Sequence, residues 1–257
     1  MCGNKYDFHA LDLCWLYPST EDESGDLGTL LSEWRDAINA EANASGYEPL
    51  LLTAQVFYSP QRYQYPRHAI VRTLDWINVM AYDFHSPNNS PDQTRAHAAW
   101  RSNEEDQPSG ETGINAWLET AGNRTKMIVL GLPFFGYAWS LVDENNNQVY
   151  AQAKGAPASY SNPTGFMGYN KINHFVATER KFDPDTKTNY CYDATTWISY
   201  DDTEAIAKKI RKAKEKELLG YFAWHVGTDD NWILSKTVSY MVPFPERVYT
   251  VPIAYIR

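Results

Sequence analysis

Residues 8 to 18 read Phe8-His9-Ala10-Leu11-Asp12-Leu13-Cys14-Trp15-Leu16-Tyr17-Pro18. A mostly apolar run ended by proline predicts a β-strand over residues 8–17. Alternation places Asp12, Cys14 and Leu16 on one face and Leu11, Leu13 and Trp15 on the other. A row of i, i+2, i+4 side chains at the C-terminal end of a parallel strand is where α/β barrel enzymes carry their chemistry. Working outward, apolar runs at residues 50–58, 76–83, 126–133 and 218–225 have the length of further strands, and such uninterrupted runs suit parallel strands buried on both faces. Helical patterns occupy residues 27–43, 68–74, 113–120 and 203–217. The last has Ala205, Ile206, Ile210 and Ala213 on one face, and its basic run at 208–217 is expected to be solvated. Strand alternating with helix predicts an α/β fold on a parallel sheet.

Residues 137–200 break that rhythm. They hold Asn145-Asn146-Asn147 and strand-like stretches at 148–153 and 190–200, too much for a plain loop. A small antiparallel insertion is expected there. The tail, 240–257, carries Pro243, Pro245 and Pro252 and reads equally as an edge strand or an extension.

The chain has 257 residues, with 23 Lys and Arg against 32 Asp and Glu, for a net charge of −9. That balance argues against nucleic acid or an anionic lipid surface as partner. No run is long and apolar enough for a membrane span. The N-terminus lacks the charged and apolar regions of a signal peptide. Trp, Tyr and Phe number 9, 18 and 10, making 14% of the chain, a composition that serves a core and also leans towards sugar-binding faces. The three cysteines, Cys2, Cys14 and Cys191, are too few for a disulfide framework, and a single bridge is open among any pair. No HExxH or CxxC motif suggests a metal, and no cofactor is expected.

The segment 8–18 resembles the fourth barrel strand of glycoside hydrolase family 18, in its plant class V chitinase branch. The family pattern is Asp-x-x-Asp-x-Asp-x-Glu, and plant members often have His at the first position, as His9 does. Other segments agree in order and spacing. Met80-Ala81-Tyr82-Asp83-Phe84 resembles the sixth strand, and residues 131–139, Gly-Leu-Pro-Phe-Phe-Gly-Tyr-Ala-Trp, the seventh. Residues 196–202 are similar to the end of the family's insertion, and residues 220–227 to the eighth strand. The resemblance covers residues 6–236. It implies a (β/α)8 TIM barrel of chitinase type with strands four to eight present: residues 1–136 for strands four to seven, 137–200 for an α+β insertion, 201–239 for the last helix and strand, and 240–257 as a C-terminal extension. It also implies extracellular or vacuolar residence, which three sequons at Asn43, Asn88 and Asn123 suit. An incomplete barrel exposes sheet edges, which predicts self-association.

The departures from the pattern bear on activity. The family Glu that protonates the glycosidic oxygen is replaced by Leu16. The Asp that orients the substrate's N-acetyl group is replaced by Cys14, and Asp12 alone of the inward acids is retained. Losing a positioned acid removes ~10²–10⁴-fold in rate. By resemblance, Met80, Tyr82, Asp83, Phe135 and Trp224 are the substrate-binding residues, with Phe135 standing where Tyr is common. Asp201-Asp202 and Asp229-Asp230 read as turn and cap residues, and Cys14 as a buried, inert thiol. Three outcomes are weighed: a protein that binds chito-oligosaccharides without efficient hydrolysis, a weakly active chitinase, and a degenerate truncated product. Restoring Cys14→Asp with Leu16→Glu should create activity only where the remaining strands are supplied.

Overall fold

The computed structural model describes residues 8–102, 107–158 and 162–241. In chain order the strands and helices are β1 (Ala10–Leu13), α1 (Glu21–Ser45), β2 (Leu51–Phe57), α2 (Arg67–Thr73), β3 (Trp76–Met80), α3 (Gly110–Thr120) and β4 (Ile128–Pro133). There follow β5 (Phe135–Ser140), β6 (Phe166–Gly168), α4 (Tyr169–Asn173), β7 (Glu179–Asp183), β8 (Thr188–Asp193), β9 (Thr196–Tyr200), α5 (Thr203–Glu215), β10 (Gly220–Trp224) and α6 (Ile233–Tyr240). Strands β1-β2-β3-β4-β10 form one sheet, parallel throughout. The sheet and its helices make the α/β arc of a barrel. Strands β2, β3 and β4 are almost wholly buried, whereas β1 and β10, paired on one side only among the described residues, are half-buried.

Pairing in β1 stops at Leu13, opposite Ala54, so the strand is shorter than the apolar run. Residues 14 to 17 continue beyond it, held by Tyr65, whose hydroxyl accepts from Phe57 N at 2.8 Å and donates to the Leu16 carbonyl. Helix α1 starts six residues earlier than its apolar period. Thr20 caps it, accepting from Glu23 N at 3.1 Å, and the acidic residues Glu21, Asp22 and Glu23 favour the helix N-terminus. At the other end Gly46 adopts φ 74° and returns its N–H to the Ala42 carbonyl, a left-handed cap suited to glycine.

The second sheet, β6-β5-β9-β8-β7, is antiparallel and begins one residue after β4 ends. Residues 148–153 do not form a strand. Among the described residues they make only isolated bridges, Gln152 to Gln93 and Ala153 to Leu141, while Thr94 holds their backbone at Ala151. Residues 190–200 divide into the β8–β9 hairpin, because Ala194, at φ 45°, turns the chain.

Helix α5 corrects the expectation of a wholly solvated basic run. Lys209 is 3% exposed, paired with buried Asp201, and donates to the Ala98 carbonyl at 2.5 Å. Asp201 is therefore an internal ion-pair partner rather than a turn residue. Asp202 caps α5, accepting from Glu204 N at 2.8 Å and Ala205 N at 3.0 Å. Asp229 caps α6, accepting from Leu234 N at 3.0 Å and Ser235 N at 2.9 Å.

Candidate functional site

The C-terminal ends of the parallel strands converge on one face. On β1, Asp12 is gripped by its neighbours. Its Oδ1 accepts from Thr53 Oγ1 at 2.5 Å and Asn78 Nδ2 at 2.8 Å, and its Oδ2 from Gln55 Nε2 at 3.3 Å. Burial nonetheless holds its carboxyl above the ordinary value, with these three donors pulling it down. Thr53 and Gln55 lie two apart on β2 and Asn78 lies on β3, so they make a polar patch inside an otherwise apolar sheet. The signal available in the sequence was polar residues interrupting apolar runs at strand spacing.

Cys14 lies on the same side, its Sγ 3.7 Å from Gln55 Oε1. It is exposed, not buried as expected, because β1 is an edge strand whose pairing ends one residue before. Partial desolvation of its sulfur by the surrounding side chains, and then the Asp12 carboxylate, raise the thiol's pKa, which leaves it a weak nucleophile. Cys14 and Cys191 are both free thiols, and Cys2 lies outside the described residues. Leu16 is partly buried and packs on the main hydrophobic core. It offers no proton.

At the end of β3, Met80 and Tyr82 are buried beneath the surface of this face. The Tyr82 ring meets Phe135 edge-on at 5.6 Å and Phe222 at 6.4 Å. Gly131 makes room for it: a Cβ there would lie 2.8 Å from the Tyr82 ring and 2.6 Å from the Val79 carbonyl. Phe135 is itself 2% exposed, stacked on Phe166 at 4.9 Å and packed against His97 and Tyr137. It is a support under the face rather than a surface upon it.

Asp83 is the chemically poised group. It sits at φ 62° and accepts from Tyr137 Oη, on β5 of the insertion, at 3.0 Å. Burial pushes its carboxyl up to about 6, against the pull of the Tyr137 hydroxyl. A side chain just beyond a parallel strand is thus held by one from the antiparallel sheet. Tyr17, 45% exposed and tilted on Tyr63 at 4.9 Å, completes the wall. Burial and then the Asp83 carboxyl push its phenol up to about 12. Neither Tyr17 nor Tyr137 was picked out by its residue type alone. Trp224 ends β10, partly buried, its carbonyl accepting from Phe134 N at 2.7 Å. The peptide that follows it, to His225, is cis. A surface depression of about 380 Å³ lies on the outer helical layer between Arg67, His68 and Glu119 and shares none of these groups. Among the described residues no three His, Cys, Asp or Glu side chains are grouped to hold a metal.

A carboxyl group just past a parallel strand, met by a tyrosine of the insertion, agrees with the glycoside hydrolase barrel that the sequence resembles. The chain matches Glycosyl hydrolases family 18 over residues 2–229 and belongs to that family. It is 45% identical over 242 residues to a class V chitinase of Arabidopsis thaliana, covering 92% of this chain and 62% of that protein. The crystal structure of class V chitinase from Nicotiana tobaccum superposes with a TM-score of 0.88 at 46% identity, covering 93% of this chain and 70% of that one. A mutant of that chitinase was solved in complex with NAG4. A chitinase-like agglutinin from Robinia pseudoacacia, RobpsCRA, superposes at 0.83 with 37% identity, over 93% of this chain and 69% of that chain. The chain spans about three-fifths of the length of the curated plant relatives, 62% and 63% for two of them. Among the described residues no helix is long and apolar enough to cross a membrane.

Proposed function

We propose that this chain is a chitinase-like protein that binds chitin or N-acetylglucosamine oligomers without efficient hydrolysis. One observation carries the proposal: the residue two beyond Cys14, where the family pattern has its acid, is Leu16, packed on the apolar core. Protonation of a leaving oxygen needs a positioned acid, and an alkyl side chain removes it whatever else survives. With Cys14 in place of the assisting carboxylate, the N-acetyl oxygen also loses its orienting partner. The contact surface is better preserved. Tyr17 and Trp224 offer aromatic faces for the apolar side of a pyranose, Met80, Tyr82 and Phe135 are buried supports, and Asp83 and Tyr137 offer hydrogen bonds. The NAG4 bound by a relative, and a relative described as an agglutinin, support this class of ligand. Asn43, Asn88 and Asn123 are all exposed, which suits the proposed extracellular or vacuolar residence.

Calorimetric titration with chitotetraose is expected to give saturable heat with no release of reducing ends. Absence of heat from the folded protein would overturn the proposal. A weak hydrolase is the second reading, favoured by one group: the Asp83 carboxyl, near 6, still carries a proton in mildly acidic solution. Release of reducing sugar that vanishes in Asp83→Ala would establish it.

A further inference from the structure

All nine tryptophans of the chain lie among the described residues, and Trp232 alone is exposed, at 63%. It precedes α6 directly, on the connection that leaves β10. In a parallel sheet that connection starts from the strands' C-terminal ends, the face that carries Asp83 and Trp224. Trp232 lies eight positions after Trp224, so the two backbones stand at most about 28 Å apart.

The backbone is set up to present this ring. Asn231 and Trp232 adopt φ 48° and 63°, the left-handed region that a bulky side chain rarely enters. The segment is nevertheless tied down on both sides. Asp229 accepts from α6, with Ser235 Oγ at 2.6 Å in addition to two backbone amides. Asp230 accepts from Asn173 Nδ2 at 2.7 Å and pairs with His174 Nε2 at 3.1 Å, at the end of α4 in the insertion. It also accepts from Asn231 Nδ2 at 3.0 Å. Thr228 Oγ1 donates to the His225 carbonyl at 2.7 Å. Among the described residues the ring makes no hydrogen bond or ring contact, and it is absent from the hydrophobic core. Exposed His225, Val226 and Gly227 lie on the same loop. An uncommon conformation with no packing return is a feature of binding sites.

We propose that Trp232 is an outer glycan subsite, stacking on a pyranose of an N-acetylated β-glycan that runs out of the cleft, and engaged only by longer oligomers. The occupant is chosen by continuity, since the anchored loop that carries this ring leaves directly from the strand that ends at Trp224. It is chosen also by chemistry, because a flat, solvent-facing indole matches the apolar face of a pyranose. The proposal rests on the binding function above.

The test uses the full chain and two probes, the N-acetylglucosamine dimer and hexamer, titrated calorimetrically into wild type, Trp232→Asn and Trp232→Tyr. Asparagine tolerates the left-handed backbone and removes the ring, and tyrosine keeps an aromatic face. Trp232→Asn is expected to weaken the hexamer by about tenfold and to leave the dimer within about twofold, while Trp232→Tyr stays close to wild type for both. An unchanged hexamer affinity in Trp232→Asn, with wild type binding normally, would overturn the subsite and leave the cleft intact. Equal weakening of dimer and hexamer would also overturn it. Failure of the wild type to bind either probe would overturn the cleft proposal and this one with it.

Discussion

Replacing Tyr137 by Phe removes one hydroxyl and isolates what sets the ionisation of Asp83. Two opposed influences act on that carboxyl: burial, which is larger and raises it to about 6, and the Tyr137 hydroxyl at 3.0 Å, which stabilises the anion. A hydrogen bond to a charged group is worth about 1.5–3 kcal/mol. At 1.36 kcal/mol per pH unit, its loss should move the Asp83 midpoint up by roughly one to two pH units. Carboxyl-carbon NMR of protein labelled at aspartate reads the midpoint directly, with Asp83→Asn assigning the signal. A midpoint in Tyr137→Phe that stays put or falls would refute the reasoning. The sign for stability follows from the same groups. The folded carboxyl keeps its proton to a higher pH than the unfolded one, so between about pH 4 and 6 the unfolded chain binds fewer protons. Asp83 therefore contributes a loss of stability as pH rises through that window, complete above the folded midpoint. In Tyr137→Phe the loss should continue to higher pH.

Lys209→Met leaves Asp201 buried and uncompensated, and should cost about 3–5 kcal/mol in urea unfolding, with the double variant Lys209→Met/Asp201→Leu recovering most of it. A single variant within 1 kcal/mol of wild type, roughly the error of such measurements, would show that the pair is not buried as described. Native protein carrying Cys2→Ser should show one thiol reactive towards a disulfide reagent, Cys14, at a rate that climbs steeply in alkaline solution. Cys191, whose thiol burial pushes up to about 12, should react only on unfolding. Equal reactivity of both would contradict the exposure found here. Among the described residues β1 and β10 pair on one side only, which predicts self-association, visible in sedimentation velocity as a mass that rises with concentration. A constant monomer mass across that range would count against it.

Much of the parallel sheet could be read along the chain, because strands buried on both faces must be apolar end to end. Residues 76–83 and 126–133 announced β3 and β4 for that reason. Strand ends were less visible: the apolar run through residues 14–17 suggested a longer β1, but a strand lasts only as long as its partner pairs with it. Residues 148–153 had strand composition and no ladder to join. At the site, residue type and order pointed to Asp12, Cys14, Leu16, Asp83 and Trp224. Tyr17, Gln55, Asn78 and Tyr137 escaped notice because a tyrosine or an amide in an aromatic-rich chain carries no sign of what it will face. The acid pair Asp201-Asp202 shows the same limit, since one residue caps a helix and its neighbour is buried against Lys209.

By itself, the sequence determined the α/β class, the family resemblance, and that a leucine stands two residues beyond Cys14, since each depends on which residue stands at a place in an ordered pattern. Tertiary structure decided what the surviving groups can do. It alone brought Tyr137 of the antiparallel sheet onto Asp83 beyond the end of β3, sank Phe135 and Tyr82 beneath the face, exposed Cys14, and left Trp232 in solvent. Charge state and exposure are set by neighbours far apart in the chain, and only folding makes them neighbours.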